Sequence, residues 1–433
     1  MRGILGFIST IAVFVVVCAF VTNISRVVLG ARIGIVPYEI HLAGAGVFAF
    51  LTLLDGKFWN LSRPSLLMLT WLFSLLAAMS ASLILISNDN LAITTFTDIT
   101  TFIAIAATFT FLSQNRSLLT TSGYAALLAI LVSVVITYIE FYNPDFRIVR
   151  DIRYVTDADR LGPQRVAGLH VDPNANGTLM VLGLFVTQYF LARPLRFIYA
   201  LLVGAAVVVT ASRGSMILWL IVVFTSFWIG AYAAGNVIPK IMAFCLAIGL
   251  TLLLTSGQVP VILASTGLDE YMNPAAIERL SSGFLEQDDN SAEARRNAVS
   301  QNYEKFAQHP VFGGGLGISL SDEFSVGSHN MLLRMGSELG IIGILVYLSL
   351  LIVPLMARSR NGFLFVVFFY ISNLFTHTAF SKPTFAILVP LAILYFVTEH
   401  SSTSSKRSRH PSRKRRRRRR SQPVPNSPEA TIS

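Results

Sequence analysis

The chain alternates between long apolar stretches and short polar connections along most of its length. A membrane-spanning helix needs about 20 mostly apolar residues. Stretches of this kind lie near residues 4–22, 38–54, 64–86, 91–112, 118–141, 174–192, 196–211, 215–234, 237–256, 330–356, 362–380 and 383–398. The pattern predicts an all-α polytopic membrane protein with about twelve transmembrane helices, the first of them an uncleaved N-terminal span.

The composition supports a membrane protein. Apolar residues make up 53% of the chain, charged residues only 13%, and the mean hydropathy is +0.62. A soluble globule does not hide that much apolar surface in one core. The formal charge of +11 describes the tail alone, because residues 406–420 hold eleven Lys and Arg and no acid. The two cysteines, Cys18 and Cys245, lie in apolar runs, so we expect no disulfide, metal site or cofactor.

Basic residues in the short connections indicate the sidedness. Lys and Arg accumulate in cytoplasmic loops, and they fall here in alternate connections, on the side of the basic tail: Lys57, Arg63, Arg116, Arg193, Arg196, Lys240, Arg358 and Arg360. We therefore expect both termini in the cytoplasm. The two long connections, 142–173 and 257–329, then emerge on the outer face.

The chain divides into a transmembrane part, residues 1–400, and a tail, residues 401–433. The tail is rich in Ser, Arg and Pro and poor in apolar residues, so we expect it to be disordered and cytoplasmic. A polybasic segment in this position binds anionic lipid of the inner leaflet. We expect no nucleic-acid partner.

The larger connection is expected to fold. Asn290 and Glu293 have the spacing of a capping box and predict a helix from about Ser291 to Gln308, which Pro310 ends. Gly313–Gly317 follows as a flexible turn, for which a hinge and a backbone nest for phosphate are both open.

Four polar clusters fall on the predicted outer face. They contain Arg165 with Asp172-Pro173-Asn174; Ser212-Arg213-Gly214-Ser215; Arg295 and Arg296; and Ser328-His329-Asn330, followed by Glu338. An arginine at a membrane surface is often explained by snorkelling to head groups. Several guanidiniums on one site are instead typical of a diphosphate site, which predicts a lipid-linked pyrophosphate as substrate.

Three ionisable residues need separate interpretation. His329 is either structural or a general base for a sugar hydroxyl, since imidazole titrates near the working pH. Glu338 lies within a span and is expected to orient a partner in the site. Asp98 also lies within a span and receives no assignment.

Taken together, the clusters resemble the O-antigen ligase and polymerase superfamily of bacterial envelope enzymes. The resemblance covers roughly residues 160–345 and rests on the order of its motifs: Arg165-x-x-Gly168 with Asp172-Pro173-Asn174, Ser212-Arg213-Gly214, a loop-helix arginine before His309-Pro310-x-x-Gly-Gly-Gly, His329-Asn330, and Glu338-x-Gly-Ile-Ile-Gly. It departs from the family at His170, where an aromatic or apolar residue is expected. The loop-helix arginine is either Arg295 or Arg296.

This resemblance implies a GT-C-like membrane glycosyltransferase of the bacterial inner membrane. The implied donor is glycan on undecaprenyl pyrophosphate, and the implied reaction needs no metal or other cofactor. The acceptor hydroxyl lies on lipid A core or another glycan, at a periplasmic active site. His329 is implied to activate that hydroxyl. Arg213, Arg295 or Arg296, and Arg165 are implied to bind the donor, while Asn174, Asn330 and Glu338 support the site.

The motifs do not separate a ligase from an O-antigen or exopolysaccharide polymerase, since the two share donor and chemistry; we favour the ligase. A secondary transporter would show two repeated halves and ionisable residues near the bilayer midplane. No half-repeat is visible in the sequence. A purely structural scaffold is the remaining alternative.

Overall fold

All the regular secondary structure that can be described is helical. The computed structural model of the chain describes residues 2–24, 37–54, 61–85, 93–143, 146, 166–170, 172–233, 261, 264, 265, 267, 290–320, 330–356, 360–375 and 384–395. Within these ranges every helix or strand assigned is a helix. This agrees with the predicted all-α class.

The helices follow the apolar stretches of the sequence closely. They are α1 (Arg2–Val21), α2 (Pro37–Leu54), α3 (Arg63–Leu85), α4 (Ile93–Gln114), α5 (Arg116–Tyr142), α6 (Pro173–Thr187), α7 (Arg193–Val209), α8 (Arg213–Ala233), α9 (Asn290–Gln308), α10 (Met331–Ser349), α11 (Ile352–Met356), α12 (Arg360–Phe375) and α13 (Thr384–Tyr395). Each predicted span coincides with one of them to within a few residues, except 330–356, which α10 and α11 cover together, and 237–256, which lies outside the described residues. The predicted loop helix is α9, and the tail also lies outside the described residues.

Several of the described helices have the length and composition of membrane spans. Four described stretches are long and apolar enough to cross a bilayer: Arg63–Ser82, Phe96–Gln114, Ser117–Tyr142 and Met331–Met356. Six shorter apolar helices accompany them. These observations are those of a polytopic membrane protein, while the total of about twelve spans and the GT-C-like architecture stay predictions.

Helix α6 occupies the centre of one part of the bundle. It packs against α5, α7 and α8, and nearly every one of its residues is buried. Elsewhere α2 packs against α4, α1 against α5, and α10 against α3 and α9. The buried apolar residues of these helices form one continuous core.

Hydrogen bonds between distant parts of the chain gather helix ends at two opposite sides. At one side the Asn23 amide, after α1, donates to the Leu169 carbonyl at 3.2 Å, and Thr384, at the start of α13, donates to the Phe20 carbonyl at 3.1 Å. At the other side the hydroxyls of Ser65 and Ser113 lie 2.6 Å apart. Helix ends meet in this way when consecutive spans cross in opposite directions, as the sequence predicts.

Helix α10 is interrupted in its middle. Gly340 has φ +68° and ψ −162°, which breaks the helical hydrogen-bond ladder. The segment after α9 fills the break: the N–H groups of Gly314 and Gly315 donate to the carbonyls of Ser337 and Glu338 at 2.6 and 3.2 Å, and the Ile341 N–H donates to the Pro310 carbonyl at 2.8 Å. The loop backbone therefore replaces the helical bonds that α10 lacks.

Candidate active site

The start of α6 is fixed by its own Asp-Pro-Asn sequence. The Asp172 carboxylate caps the helix by accepting a hydrogen bond from the Asn174 N–H at 3.0 Å. Pro173 occupies the first helical position, where its missing N–H costs nothing. The motif thus sets the exact point at which α6 begins.

The Ser-Arg-Gly-Ser turn lies directly against this helix start. The Ser215 hydroxyl lies 2.8 Å from that of Ser212 and 3.2 Å from that of Thr178, and it is 3.3 Å from the Asn174 carbonyl, to which it donates. A Cβ at Gly177 would lie 2.6 Å from the Ser215 hydroxyl, so this close approach requires glycine. Two motifs that are distant in sequence therefore form one polar unit, which we call the serine junction (Asp172–Thr178 with Ser212–Ser215).

Arg213 leaves the serine junction as the first residue of α8. Its side chain is partly exposed, whereas the two serines beside it are buried. The preceding turn includes Ala211, which has φ +49°, a conformation that a residue with a Cβ seldom adopts. The strained turn therefore sets the position at which α8 and its first residue, Arg213, begin.

The segment after Arg165 is tied to α5. The Glu140 carboxylate accepts hydrogen bonds from the Gly168 N–H at 2.6 Å and from the Ala167 N–H at 3.5 Å. Gly168 has φ +58°, as a tight turn requires. His170, the departure from the family pattern, is buried at 2% exposure. Arg165 itself lies outside the described residues; Glu140 was not recognised in the sequence.

The start of α10 lies just after His329. Asn330 is its N-cap, and its side chain accepts from the N–H groups of Leu332 and Leu333 at 3.0 and 3.1 Å. His329 lies outside the described residues. Asn330 therefore fixes where the helix begins, next to the predicted base.

Helix α9 carries the two loop arginines and lies on α10. The Ser337 hydroxyl donates to the Asn302 side chain at 2.9 Å, and Phe306 packs near Gly336. The Arg296 side chain is exposed. The backbone of Arg295 belongs to the helix, whereas its side chain lies outside what the structure describes.

The glycine run after α9 is a packed segment, so the prediction of a flexible turn was wrong. All five residues from Gly313 to Gly317 are buried. The N–H groups of Gly314 and Gly315 bond the carbonyls of α10, as described above, so these donors do not form a nest for phosphate. Gly313 is explained by close contact, since a Cβ there would overlap the backbone of Glu338, and Gly313, Gly315 and Gly317 all have positive φ.

Glu338 belongs to a buried ion cluster. Its carboxylate accepts hydrogen bonds from Ser319 and from Arg334 Nε, the latter at 3.1 Å, and Arg334 Nη2 lies 2.6 Å from Asp98. The backbone carbonyl of Glu338 also accepts from Ser82 at 3.2 Å. We expected Glu338 to orient a partner, and its carboxylate has two hydrogen-bond partners, Ser319 and Arg334.

Arg334 was missed in the sequence, although a signal for it was present. Arg334 and Glu338 have the i,i+4 spacing of a helical ion pair. Asp98 is an acid in a span, and such an acid needs a partner. Its cation had to come from another apolar stretch, and Arg334 is one of few candidates.

The described residues contain no cluster of three or more His, Cys, Asp or Glu side chains that could hold a metal ion.

A comparison with protein families gives one match. Residues 198–348 match the family model described as O-antigen ligase. The matched segment includes the Ser212–Ser215 turn, α9, the glycine run and α10. No curated protein and no solved structure matches the chain.

Proposed function

We propose that this protein is a lipid-linked glycan ligase that acts in surface polysaccharide synthesis, because residues 198–348 match the family model described as O-antigen ligase. It transfers glycan from undecaprenyl pyrophosphate to an acceptor hydroxyl on the periplasmic face of the inner membrane. The serine junction carries this proposal. It joins an Asp-Pro-Asn helix start to the Ser-Arg-Gly-Ser turn, and places Arg213 at the end of the bundle that we assign to the outer face.

The donor diphosphate is bound by arginines. Arg213 contributes from the start of α8, Arg295 or Arg296 from α9, and Arg165 from the segment held by Glu140. A guanidinium presents several N–H donors in a fixed plane and so engages two phosphate oxygens at once. Asn174, Asn330 and Glu338 support the site by fixing helix starts and the glycine run.

The reaction is a single displacement at the anomeric carbon. His329 accepts the proton of the acceptor hydroxyl. At the same time the oxygen of that hydroxyl forms the new bond to the anomeric carbon. The bond from the same carbon to the pyrophosphate oxygen breaks, and the electron pair leaves with undecaprenyl pyrophosphate. The arginines stabilise the charge that grows on this leaving group, so no metal is needed. Inversion at the anomeric carbon follows.

The membrane arrangement completes the proposal. About twelve spans in a GT-C-like architecture place both termini in the cytoplasm, and the tail, residues 401–433, binds anionic lipid there. The contacts that gather alternate helix ends at two opposite sides support this alternation.

The same site would serve a polymerase, whose acceptor is a growing chain of repeat units. The two activities differ only in the acceptor. Chemical analysis of the envelope separates them: loss of the ligase leaves polymerised glycan on undecaprenyl pyrophosphate, whereas loss of the polymerase leaves single repeat units.

A secondary transporter is less well supported. Such proteins use the backbone carbonyls of broken helices to coordinate ions. In α10 the carbonyls next to the break accept hydrogen bonds from Gly314, Gly315 and Ser82 instead. The break thus fixes a loop and offers few groups to an ion.

A reconstitution experiment tests the proposal directly. Purified protein is supplied with glycan on undecaprenyl pyrophosphate and, separately, with lipid A core or oligosaccharide acceptors. We expect transfer to the lipid A core, with release of undecaprenyl pyrophosphate. Arg213→Ala should abolish most of it, whereas Arg63→Ala, an exposed arginine at the start of α3, should not. Transfer by neither wild-type nor control protein would reject the proposal.

A further inference from the structure

The loop that follows α9 has apolar side chains on the protein surface. Val311 and Phe312 are 49% and 48% exposed, although the residues on either side of them are held by backbone hydrogen bonds. On α9 itself Val299 and Tyr303 are 40% and 60% exposed. We call these four residues the apolar edge.

The part of the apolar edge on α9 lies along one face of that helix. Val299 and Tyr303 are four residues apart and therefore share a face of α9, and Arg296 precedes them on the same face. The buried face of α9, with Ala298 and Asn302, rests on α10. Asn297 and Glu304 are exposed on a third face, about a third of a turn from Tyr303.

The loop end of the apolar edge, Val311 and Phe312, continues an exposed apolar surface of α10. In α10 no described side chain before Gly340 is exposed, whereas Ile341 and Leu345 beyond it are 42% and 61% exposed. These two residues belong to one of the four stretches long enough to cross a membrane. Because the Pro310 carbonyl accepts a hydrogen bond from the Ile341 N–H, Val311 lies next to the N-terminal end of this exposed apolar face.

We propose that the apolar edge inserts into the outer leaflet, so that α9 lies along the membrane surface. The apolar face of an interfacial helix is buried at the boundary between acyl chains and head groups, and a tyrosine there keeps its hydroxyl wet. Arg296 then lies at the depth of lipid phosphates. On the proposed function, this is the depth of the donor diphosphate, so the loop receives the lipid-linked donor laterally from the bilayer.

Spin labels measure the insertion without any assay of activity. Phe312→Cys is labelled in a background in which Cys18 and Cys245 are replaced by serine, and the protein is reconstituted in vesicles of phosphatidylethanolamine and phosphatidylglycerol. Glu304→Cys, on the third face of α9, is the matched control. We expect the label at 312 to collide more often with oxygen than with a water-soluble nickel chelate, and the label at 304 to show the reverse. Equal access of the chelate to both positions would overturn the proposal.

A second variant tests what the insertion is for. Val311→Asp with Phe312→Asp changes only exposed side chains, so we expect the protein to fold and melt as the wild type does. Transfer from the undecaprenyl donor should fall about tenfold or more, because charge removes the apolar contact with the bilayer. Transfer from a short-chain, water-soluble diphosphate donor should stay within about threefold, since that donor does not arrive through the membrane. Equal losses with both donors would reject lateral delivery.

The two arms fail separately. If the protein transfers no glycan at all, the proposed function fails, while the spin labels still decide whether the apolar edge is inserted. If transfer occurs and the label at 312 is in water, the insertion fails and the proposed function stands.

Discussion

Arg334 Nη2 lies 2.6 Å from Asp98 Oδ2, and the Nε of the same guanidinium lies 3.1 Å from Glu338. One buried cation therefore joins two buried carboxylates from α4 and α10. In water-free surroundings neither carboxylate is stable without it. The contact also holds Ser319, and with it the glycine run, because Ser319 donates to Glu338.

The first prediction is that Arg334→Met destabilises the protein strongly. Removing one partner of a buried ion pair costs about 3–5 kcal/mol, because an uncompensated charge remains. Arg334→Met with Asp98→Asn should recover part of this loss, since one of the stranded carboxylates is gone. Thermal melting of purified protein in detergent measures both, with Arg63→Met as the exposed control. If the melting-temperature shift of the double variant equals the sum of the shifts of Arg334→Met and Asp98→Asn alone, Arg334 and Asp98 do not interact.

The second prediction concerns the break in α10. Gly340→Ala places a Cβ on a residue with φ +68° and ψ −162°, where L residues pay about 1–3 kcal/mol, and this Cβ would overlap the Val311 carbonyl. We expect a lower melting temperature and loss of transfer together. Gly46→Ala in α2, where nothing lies within 4 Å of the added atom, is the matched control and should change stability by no more than about 1 kcal/mol. A Gly340→Ala protein that melts like the control would contradict the described break.

The third prediction separates the proposed base from the proposed diphosphate ligands. His329→Ala should reduce transfer by about 10²–10⁴-fold, the usual contribution of a general base, with donor binding nearly unchanged. Arg213→Ala or Arg295→Ala should weaken donor binding as well as turnover, because each removes contacts to the diphosphate in ground and transition states. Lysine should rescue either position only partly, since it keeps the charge without the planar fork.

Transfer from purified donor in detergent, with binding followed separately, measures these effects, and EDTA should leave wild-type turnover unchanged. Near wild-type turnover by His329→Ala would exclude its role as base. Reversible loss with EDTA would exclude an arginine-only account of the leaving group.

The fourth prediction is the sidedness. Single cysteines at positions 160, 213, 290 and 329 should react with an impermeant maleimide added from outside. Those at 58, 116, 195 and 359 should react only after the membrane is opened, because cytoplasmic loops carry the excess of Lys and Arg. Protection of 213 and 329 together with labelling at 116 would reject the whole functional proposal.

The fifth prediction is that truncation after Ser401 leaves catalysis largely intact. The removed residues carry charge but few apolar side chains, and we place them on the side opposite the active site. The amount of membrane-inserted protein is expected to fall instead, because we propose that the tail binds anionic lipid. Normal amounts of inserted protein that form no product would contradict this.

Periodicity and length were enough to place the helices, because a span must be about 20 apolar residues long whatever it packs against. The sequence also located α9, through a capping box and a proline. It did not show that the glycine run is packed. Glycine permits both a flexible turn and a close approach, and only the partner, Glu338 and its neighbours on α10, distinguishes the two.

The site was predicted as separate clusters. The union of two of them, Asp172-Pro173-Asn174 and Ser212–Ser215, at the serine junction was not predictable, because it depends on the contact between α6 and α8, which no local pattern encodes. The Arg334 cluster was missed for a related reason. Asp98 looks like a solitary charge in an apolar stretch until the side chain of Arg334 on α10 is placed beside it.

The break in α10 also bears on how the chain is made. Until the backbone of residues 310–315 reaches it, this helix holds carbonyl and N–H groups that lipid does not satisfy, at several kcal/mol for each. The loop that satisfies them precedes α10 in the chain. On the proposed sidedness, synthesis from the N-terminus delivers the loop across the membrane before the broken helix enters it, so the ribosome supplies the two parts in the order in which they must assemble.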